Sequence, residues 1–450
     1  MAVTRHYLII GNGAAGVSAA EVIRQRDSSG RITIFSDEPY RMYSRPGIAY
    51  FLLNQVTEAQ IMARSQSFYQ GNAIDLQFKR VAGIDPAGQT VRLENGQTIP
   101  YDVLLLATGA KATPPTFPGK ELEGLLTLDT LDNAKKIIQA GRKAKAGVVI
   151  GGGITAMELA EGLHHQGVHT HLLQRGDRMW PRLFDARESA IIEQQIHQQG
   201  IHLHFNEEIA EAYGKNGQVA GVKLQSGKEI KCQLVGVAIG VKPNLQLVKG
   251  LPIEQNQGVL VNDFMQSSVP TLFVAGDVAQ AVDRWTKKPQ LDILWPTAID
   301  TGRVAGYNMV EVAQGRSGRA IYRKNSPFNA AMLFGVHITV IGRVGVDPGR
   351  GNTEEIAHLS RGASQIWTSP FITSYRSAWD KSGTNSIRIV MEENRIVGAL
   401  LIGNQNLADP LRQLIENQVA IADSESLVKS DSHLPKTILT IWRSWHQSWQ

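Results

Sequence analysis

Two glycine-rich turns are the residues best suited to chemistry in this chain. Gly11-Asn12-Gly13-Ala14-Ala15-Gly16 and Gly151-Gly152-Gly153-Ile154-Thr155-Ala156 place glycines where a backbone can approach an anion closely. A helix starting at such a turn offers free N–H groups and the positive end of its dipole, a combination suited to a pyrophosphate. Ala156 takes the third position of the second copy and still permits close helix–strand packing. About twenty residues beyond the first turn stand Asp37 and Glu38, either of which would accept hydrogen bonds from ribose hydroxyls. The equivalent place after the second turn holds Gln174, beside Arg175 and Arg178. Losing the acid removes repulsion against a 2′-phosphate, and an arginine can pair with one.

Other chemistry is excluded by counting. There is one cysteine, Cys232, so no internal disulfide, dithiol pair or cysteine-rich metal site can form. His202 and His204 alternate on a strand pattern and read as surface residues without a third ligand. His164, His165, His169 and His171 show no metal-ligand spacing, so no metal is expected. No nucleophile-elbow motif occurs.

The elements that must position the two turns are legible as patterns. Tyr7–Ile10 is an apolar run long enough for a buried parallel strand, followed by a helix pattern over 17–26 and a strand over 31–35. The same order recurs as a strand over 147–150, a helix over 157–165 and a strand over 170–173, an internal repeat of one supersecondary unit. Residues 76–78 and 90–93 read as hairpin strands, with Asn95-Gly96 as a turn. Buried strands over 101–106, 235–239 and 271–274 run into Ala107-Thr108-Gly109, Gly240 and Gly276-Asp277. Pro114, Pro115 and Pro118 mark a linker. From residue 321 the pattern shifts to alternating strands (387–390 and 396–402) and a helix over 411–420. A tail over 434–450 then sets Ile438, Ile441, Trp442, Trp445 and Trp449 at helical spacing. That stripe reads as a helix packed on its own protein, with partner or membrane-surface contact as the lesser alternatives.

With 450 residues, 42% hydrophobic and 19% charged, the chain is ordinary globular material of two to four domains. The net charge of +5 comes without a basic block and gives no case for nucleic acid. No apolar run is long enough to span a bilayer, and the short polar lead lacks the features of a secretory signal, so a cytoplasmic protein is expected.

The two units, with Ala107-Thr108-Gly109 between them and Thr271-Leu-Phe-Val-Ala-Gly-Asp277 after them, resemble the FAD-dependent pyridine nucleotide–disulfide oxidoreductase superfamily over roughly residues 5 to 310. The resemblance implies an α/β fold with two Rossmann-like dinucleotide-binding domains, glutathione-reductase-like, plus a small C-terminal α+β domain. It implies a discontinuous FAD-binding domain (1–115 and 250–320), an NAD(P)H-binding domain (116–249) and the C-terminal domain (321–450). Asp277 would hold a ribityl hydroxyl and Val81 would lie at the adenine. Trp295-Pro-Thr297-Ala298 would approach the pyrimidine edge of the flavin, and Glu158 would face the nicotinamide pocket. The segment 321–420, through Arg395-Ile-Val-Gly-Ala-Leu-Leu-Ile-Gly403, is similar to the small domain of NADH:rubredoxin reductases and of assimilatory nitrite reductases.

One departure from the family is informative. Tyr43-Ser-Arg45-Pro46-Gly-Ile-Ala-Tyr50 resembles the segment that carries a redox cysteine in coenzyme A disulfide reductases and NADH oxidases, and Pro46 stands in its place. No thiolate can form there. Arg45-Pro46 instead resembles the Arg-Pro of ferredoxin and rubredoxin reductases, which makes Arg45 a candidate for the flavin edge or the FAD pyrophosphate. The implied activity is electron transfer from NADPH or NADH through FAD to a protein acceptor of the rubredoxin or ferredoxin kind. The competing readings are an oxidase or quinone reductase with a small acceptor, and a non-catalytic flavin redox sensor. A homodimer is left open.

Overall fold

A computed structural model describes residues 4–283, 287–344, 376–382, 384–422, 427 and 434–448. Within them the chain forms two compact units. One is drawn from Met1–Ala112, Asp129–Leu131 and Val241–Lys324, the other from Thr113–Leu128, Asp132–Gly240 and Asn325–Gln450.

The first unit is built on a five-stranded parallel sheet. Its order is Leu272–Val274, Val103–Leu106, His6–Ile10, Arg31–Phe35 and Ile74–Gln77. The strand His6–Ile10 is central and buried from Tyr7 onward, which is why its sequence does not alternate. Ile74–Gln77 pairs in parallel with Ile32–Phe35, not in the expected hairpin. The hairpin partners of Thr90–Leu93 are Val81–Asp85 and Thr98–Pro100, and Asn95-Gly96 turns between Thr90–Leu93 and Thr98–Pro100. Ile74, buried at the sheet edge, anchors the strand Ile74–Gln77 in the parallel sheet instead.

The helix Ala14–Arg26 packs on the helix Trp295–Ala313 through small residues. A Cβ on Gly302 would lie 2.2 Å from the Ala15 carbonyl oxygen, and one on Gly306 would lie 2.5 Å from that of Ala19. Any side chain at either glycine would push the helices apart.

The second unit repeats the plan. Its parallel sheet has the order His202–His204, His169–Leu173, Ala146–Ile150, Leu234–Val237 and Leu125–Thr127. The meander Ile209–Lys215, Gln218–Leu224 and Glu229–Lys231 shares a core with this sheet, which includes Val148, Leu173, Val222, Ile230 and the buried Cys232. The unit also contains an antiparallel sheet of Phe328–Leu333, Val336–Gly342, Arg395–Ile402, Asn385–Glu392 and Arg376–Ser382. The expected helix over 411–420 is Ala408–Glu416.

The aromatic tail forms the helix Leu434–Gln447. Leu434 and Ile438 are buried in one core with Leu411, Leu414 and Ile415, and Trp442 and Trp445 pack against it. Trp442 Nε1 donates to Gln413 Oε1 at 2.9 Å. Packing on its own protein is therefore what its stripe does; Trp449 lies outside the described residues. Among the described residues no helix is long and apolar enough to cross a membrane.

Within the second unit a buried ion pair ties the antiparallel sheet to the nucleotide-type fold. Arg388 Nε donates to Glu188 Oε1 at 2.9 Å, and the same guanidinium reaches the carbonyls of Val344 and Leu183. Glu188 Oε2 also accepts from the Asp185 N–H at 2.9 Å, closing the N-terminus of the helix Ala186–Gln198. Burying two charges is costly unless every lone pair and proton finds a partner, and this pair is surrounded by them.

Candidate functional site

Gly11 leaves the central strand at φ +119, where a Cβ would lie 2.1 Å from the Ala107 carbonyl oxygen. Only glycine fits, in conformation and in space. Gly16 is pressed back on the turn, with a Cβ position 2.0 Å from the Gly11 carbonyl oxygen. Gly13 has nothing within 4 Å of its Cβ position, so the turn is open at its middle, where Gly13 caps the helix with no side chain of its own. Ala14 and Ala15 begin that helix and are buried.

The structure brings the distant candidates to this turn. Ala107 N–H donates to the Ile10 carbonyl at 2.8 Å, and Thr108 Oγ1 donates to the Asn244 carbonyl at 3.0 Å. Gly109 turns at φ +65. A Cβ on Gly276 would lie 3.1 Å from Ala15 Cβ and 3.7 Å from Ala298 Cβ, and the Gly276 N–H donates to Thr301 Oγ1 at 3.0 Å. Asp277 follows, half-buried, in the short turn Gly276–Val278. Trp295, Thr297 and Ala298 lie in the first turn of the helix Trp295–Ala313, and Thr297 Oγ1 donates to Asp292 Oδ2 at 3.1 Å. Residues from three separate stretches thus converge around one glycine turn. Val81 opens the neighbouring three-stranded meander and is buried.

The acids after Arg31–Phe35 differ sharply. Asp37 is exposed. Glu38 pairs with the Arg45 guanidinium and accepts from the Tyr43 hydroxyl at 2.6 Å. Arg45 also donates to the Asp129 carbonyl. Glu38 and Arg45, expected at ribose and flavin, are therefore partners of each other, and Asp37 is the acid left facing solvent. Pro46 is exposed and caps the short helix Gly47–Leu52. Sequence reasoning missed Tyr43, whose hydroxyl joins Glu38 to the Leu131 N–H at 3.2 Å. It also missed Tyr69, which donates to Asn12 Oδ1 at 2.8 Å. An aromatic has no spacing signature, so no signal pointed to either.

The second turn shares the first turn's key contact. Gly151 has φ +136, and its Cβ position is 2.1 Å from the Ala238 carbonyl oxygen. Gly153 caps the helix Ile154–His165 without a side chain, Ile154 and Thr155 open that helix, and Glu158 sits half-buried further along it. Gly240 turns at φ +109 and accepts the Thr113 N–H at 2.9 Å. Gln174 is buried and donates to the Gly151 carbonyl at 2.8 Å, a contact with the turn itself. Arg175 is mostly exposed, with Glu208 4.0 Å away.

The histidines are closer than expected. His171 Nδ1 lies 2.9 Å from His204 Nε2, the His202 ring stacks on His171 at 5.1 Å, and the His169 ring lies tilted against His202 at 4.5 Å. Burial, and then its histidine neighbours, lowers the pKa of His171 to about 4. Among the described residues no group of three or more side chains is placed to hold a metal ion.

Residues 5–302 match the family model described as pyridine nucleotide-disulphide oxidoreductase. This chain belongs to that family. As a member it is an FAD-dependent NAD(P)H oxidoreductase, with FAD and NAD(H) as cofactors. It is 30% identical over 276 residues to the rubredoxin-NAD(+) reductase of Ectopseudomonas oleovorans, spanning 61% of this chain and 72% of that protein. It is 30% identical over 346 residues to the epsilon subunit of NADH-dependent phenylglyoxylate dehydrogenase of Aromatoleum evansii, over 76% of this chain and 80% of that one. The fold matches the ferredoxin reductase for the CYP199A2 system from Rhodopseudomonas palustris with a TM-score of 0.81, at 21% identity, over 97% of this chain and 100% of that one. This family member departs from the family's disulphide chemistry, because its one cysteine has no partner. Cys232 is buried, and burial pushes its thiol pKa up to about 12.

Proposed function

We propose that this enzyme carries electrons from NAD(P)H to a small protein acceptor of the rubredoxin or ferredoxin kind, without a thiol. The observation that supports it most is the pair of glycine turns, each pressed on a strand carbonyl and open at its helix start, in a chain whose one thiol is buried. The similarity to rubredoxin-NAD(+) reductase supports the choice of acceptor class.

In this reading the first turn, residues 11–16, seats the FAD pyrophosphate, and Asp277 accepts a hydrogen bond from a ribityl hydroxyl. The convergence of Gly276, Ala15 and Ala298 fits a cofactor laid across the helix starts. FAD bound there supplies the exchange between two-electron donation and one-electron delivery. Arg45, paired with Glu38 and donating to the Asp129 carbonyl, is held in one place on this unit. Residues 151–155 and Gly240 seat NAD(P)H. With Arg175 exposed just beyond the strand His169–Leu173, NADPH is used at least as well as NADH.

Anaerobic stopped-flow mixing with NADPH and NADH, followed by rubredoxin or ferredoxin, tests this. Fast bleaching of the flavin and stimulation of turnover by the acceptor protein are expected, with little peroxide in air. Peroxide formed as fast as NAD(P)H is consumed, with no effect of either protein, would move the function to an oxidase. Bleaching far slower than ~1 per second would move it to a redox sensor.

A further inference from the structure

Two consecutive carbonyls of the second glycine turn are held from behind by buried side-chain donors. Gln174 Nε2 donates to the Gly151 carbonyl at 2.8 Å, and Trp180 Nε1 donates to the Gly152 carbonyl at 2.6 Å. The two side chains belong to residues only 4% and 7% exposed. A carbonyl can only accept, so the amide nitrogen of Gln174 must face Gly151; its oxygen lies 3.3 Å from the Cβ position of Gly152. In a trans peptide the carbonyl and the following N–H point in opposite directions. Drawing the Gly151 and Gly152 carbonyls toward Gln174 and Trp180 therefore aims the N–H groups of Gly152 and Gly153 away from them.

Trp180 is also strained. Its φ of +49 is in the left-handed region, rare for a bulky residue. Such a conformation persists only where surrounding contacts over-determine it. Here the indole is fixed by the Gly152 carbonyl and by edge-on packing against Phe184 at 5.1 Å.

We infer that Gln174 and Trp180 are positioning residues for the pyrophosphate of NAD(P)H, clamping the turn so that its N–H groups face the dinucleotide. Gln174 then does not read the 2′ end of the adenosine ribose. This rests on the proposed seat of NAD(P)H at residues 151–155. The clamp acts on the part of the ligand that NADH and NADPH share, so it changes both affinities by the same factor. A glutamate at 174 would set acceptor against acceptor and loosen the turn for both nucleotides.

The test uses the FAD-loaded enzyme, calorimetric titration with NAD+ and with NADP+, and steady-state kinetics. Q174M and W180F are each expected to weaken both nucleotides roughly three- to tenfold, the worth of one hydrogen bond. The ratio of the two affinities should hold, the effect should fall on KM rather than kcat, and FAD content should match wild type. Q174E should weaken both nucleotides further. If Q174E instead tightens NAD+ and expels NADP+, Gln174 reads the ribose and the clamp is wrong. Ile154→Glu, which sets a carboxylate in the first turn of the helix, separates the two readings. If it weakens binding while Q174M and W180F do not, the seat stands and the clamp fails. If all three bind as wild type, the seat is elsewhere and both readings fall.

Discussion

The two glycine turns are the same device in two settings. Each begins with a glycine in the left-handed region whose Cβ position is 2.1 Å from a strand carbonyl oxygen, Ala107 in one and Ala238 in the other. They part at the third position. Gly16 admits no side chain against the Gly11 carbonyl, whereas Ala156 is accommodated, its Cβ 3.3 Å from the Cβ position of Gly151. The surroundings part further. The first helix is pinned along its length by Gly302 and Gly306, and in its turn the Asn12 side chain donates to the Tyr40 carbonyl and accepts from the Tyr69 hydroxyl. The second turn is held through its own carbonyls by Gln174 and Trp180. The contact of glycine on strand is thus the common requirement, and the packing around it is where the two sites acquired different constraints.

The strongest way to break the comparison is to add one methyl group to each turn. Gly11→Ala and Gly151→Ala both drive a Cβ into a carbonyl at a φ that alanine resists, a cost on the order of 4 kcal/mol at either site. The expected outcomes differ. Gly11→Ala should yield protein without flavin absorbance, while Gly151→Ala should stay yellow and lose NAD(P)H binding in titration. Loss of FAD from both would show that the turns are not independent.

Asp277→Ala comes next. Losing a charge-assisted hydrogen bond to the ribityl chain should weaken FAD by about 1.5–3 kcal/mol, read as flavin released on dilution. Retention like wild type would remove Asp277 from the first site.

Acid should act on the second unit through the histidine cluster. An unfolded imidazole takes a proton near 6.5, but His171 in the folded chain resists until about 4, chiefly through burial. The unfolded state therefore binds more protons between those values, so stability is full above about pH 6.5 and falls as pH drops toward about 4. Thermal melting across that window should show the decline, and His171→Leu should flatten it.

Cys232→Ser should matter least, about 1 kcal/mol of stability in denaturant unfolding, with NAD(P)H-driven reduction of ferricyanide intact. Abolished turnover with FAD still bound would show that electrons pass through the thiol.

Much of the fold was legible because it is local. Buried strands ran straight into glycine turns at Ile10–Gly11 and Ile150–Gly151, and the helices that follow needed only their own periodicity. The pairing of Ile74–Gln77 is not legible, because its parallel partner lies about forty residues back and no turn signal marks such a pairing, so residues 76–78 read as a hairpin strand. His169 and His171 gave no ligand spacing along the chain, yet parallel pairing of His171 with His202 sets all four rings side by side.

By itself the amino-acid sequence determined which residue types stand at each turn, the absence of a second thiol, and the proline at position 46. These are matters of covalent identity and short-range backbone preference. Only the tertiary structure decided that Glu38 belongs to Arg45, that Gln174 belongs to the Gly151 carbonyl, and that Trp180 belongs to Gly152. A hydrogen bond reaches about 3 Å and has a direction, so its partner is set by where folding puts the two groups rather than by their separation along the chain.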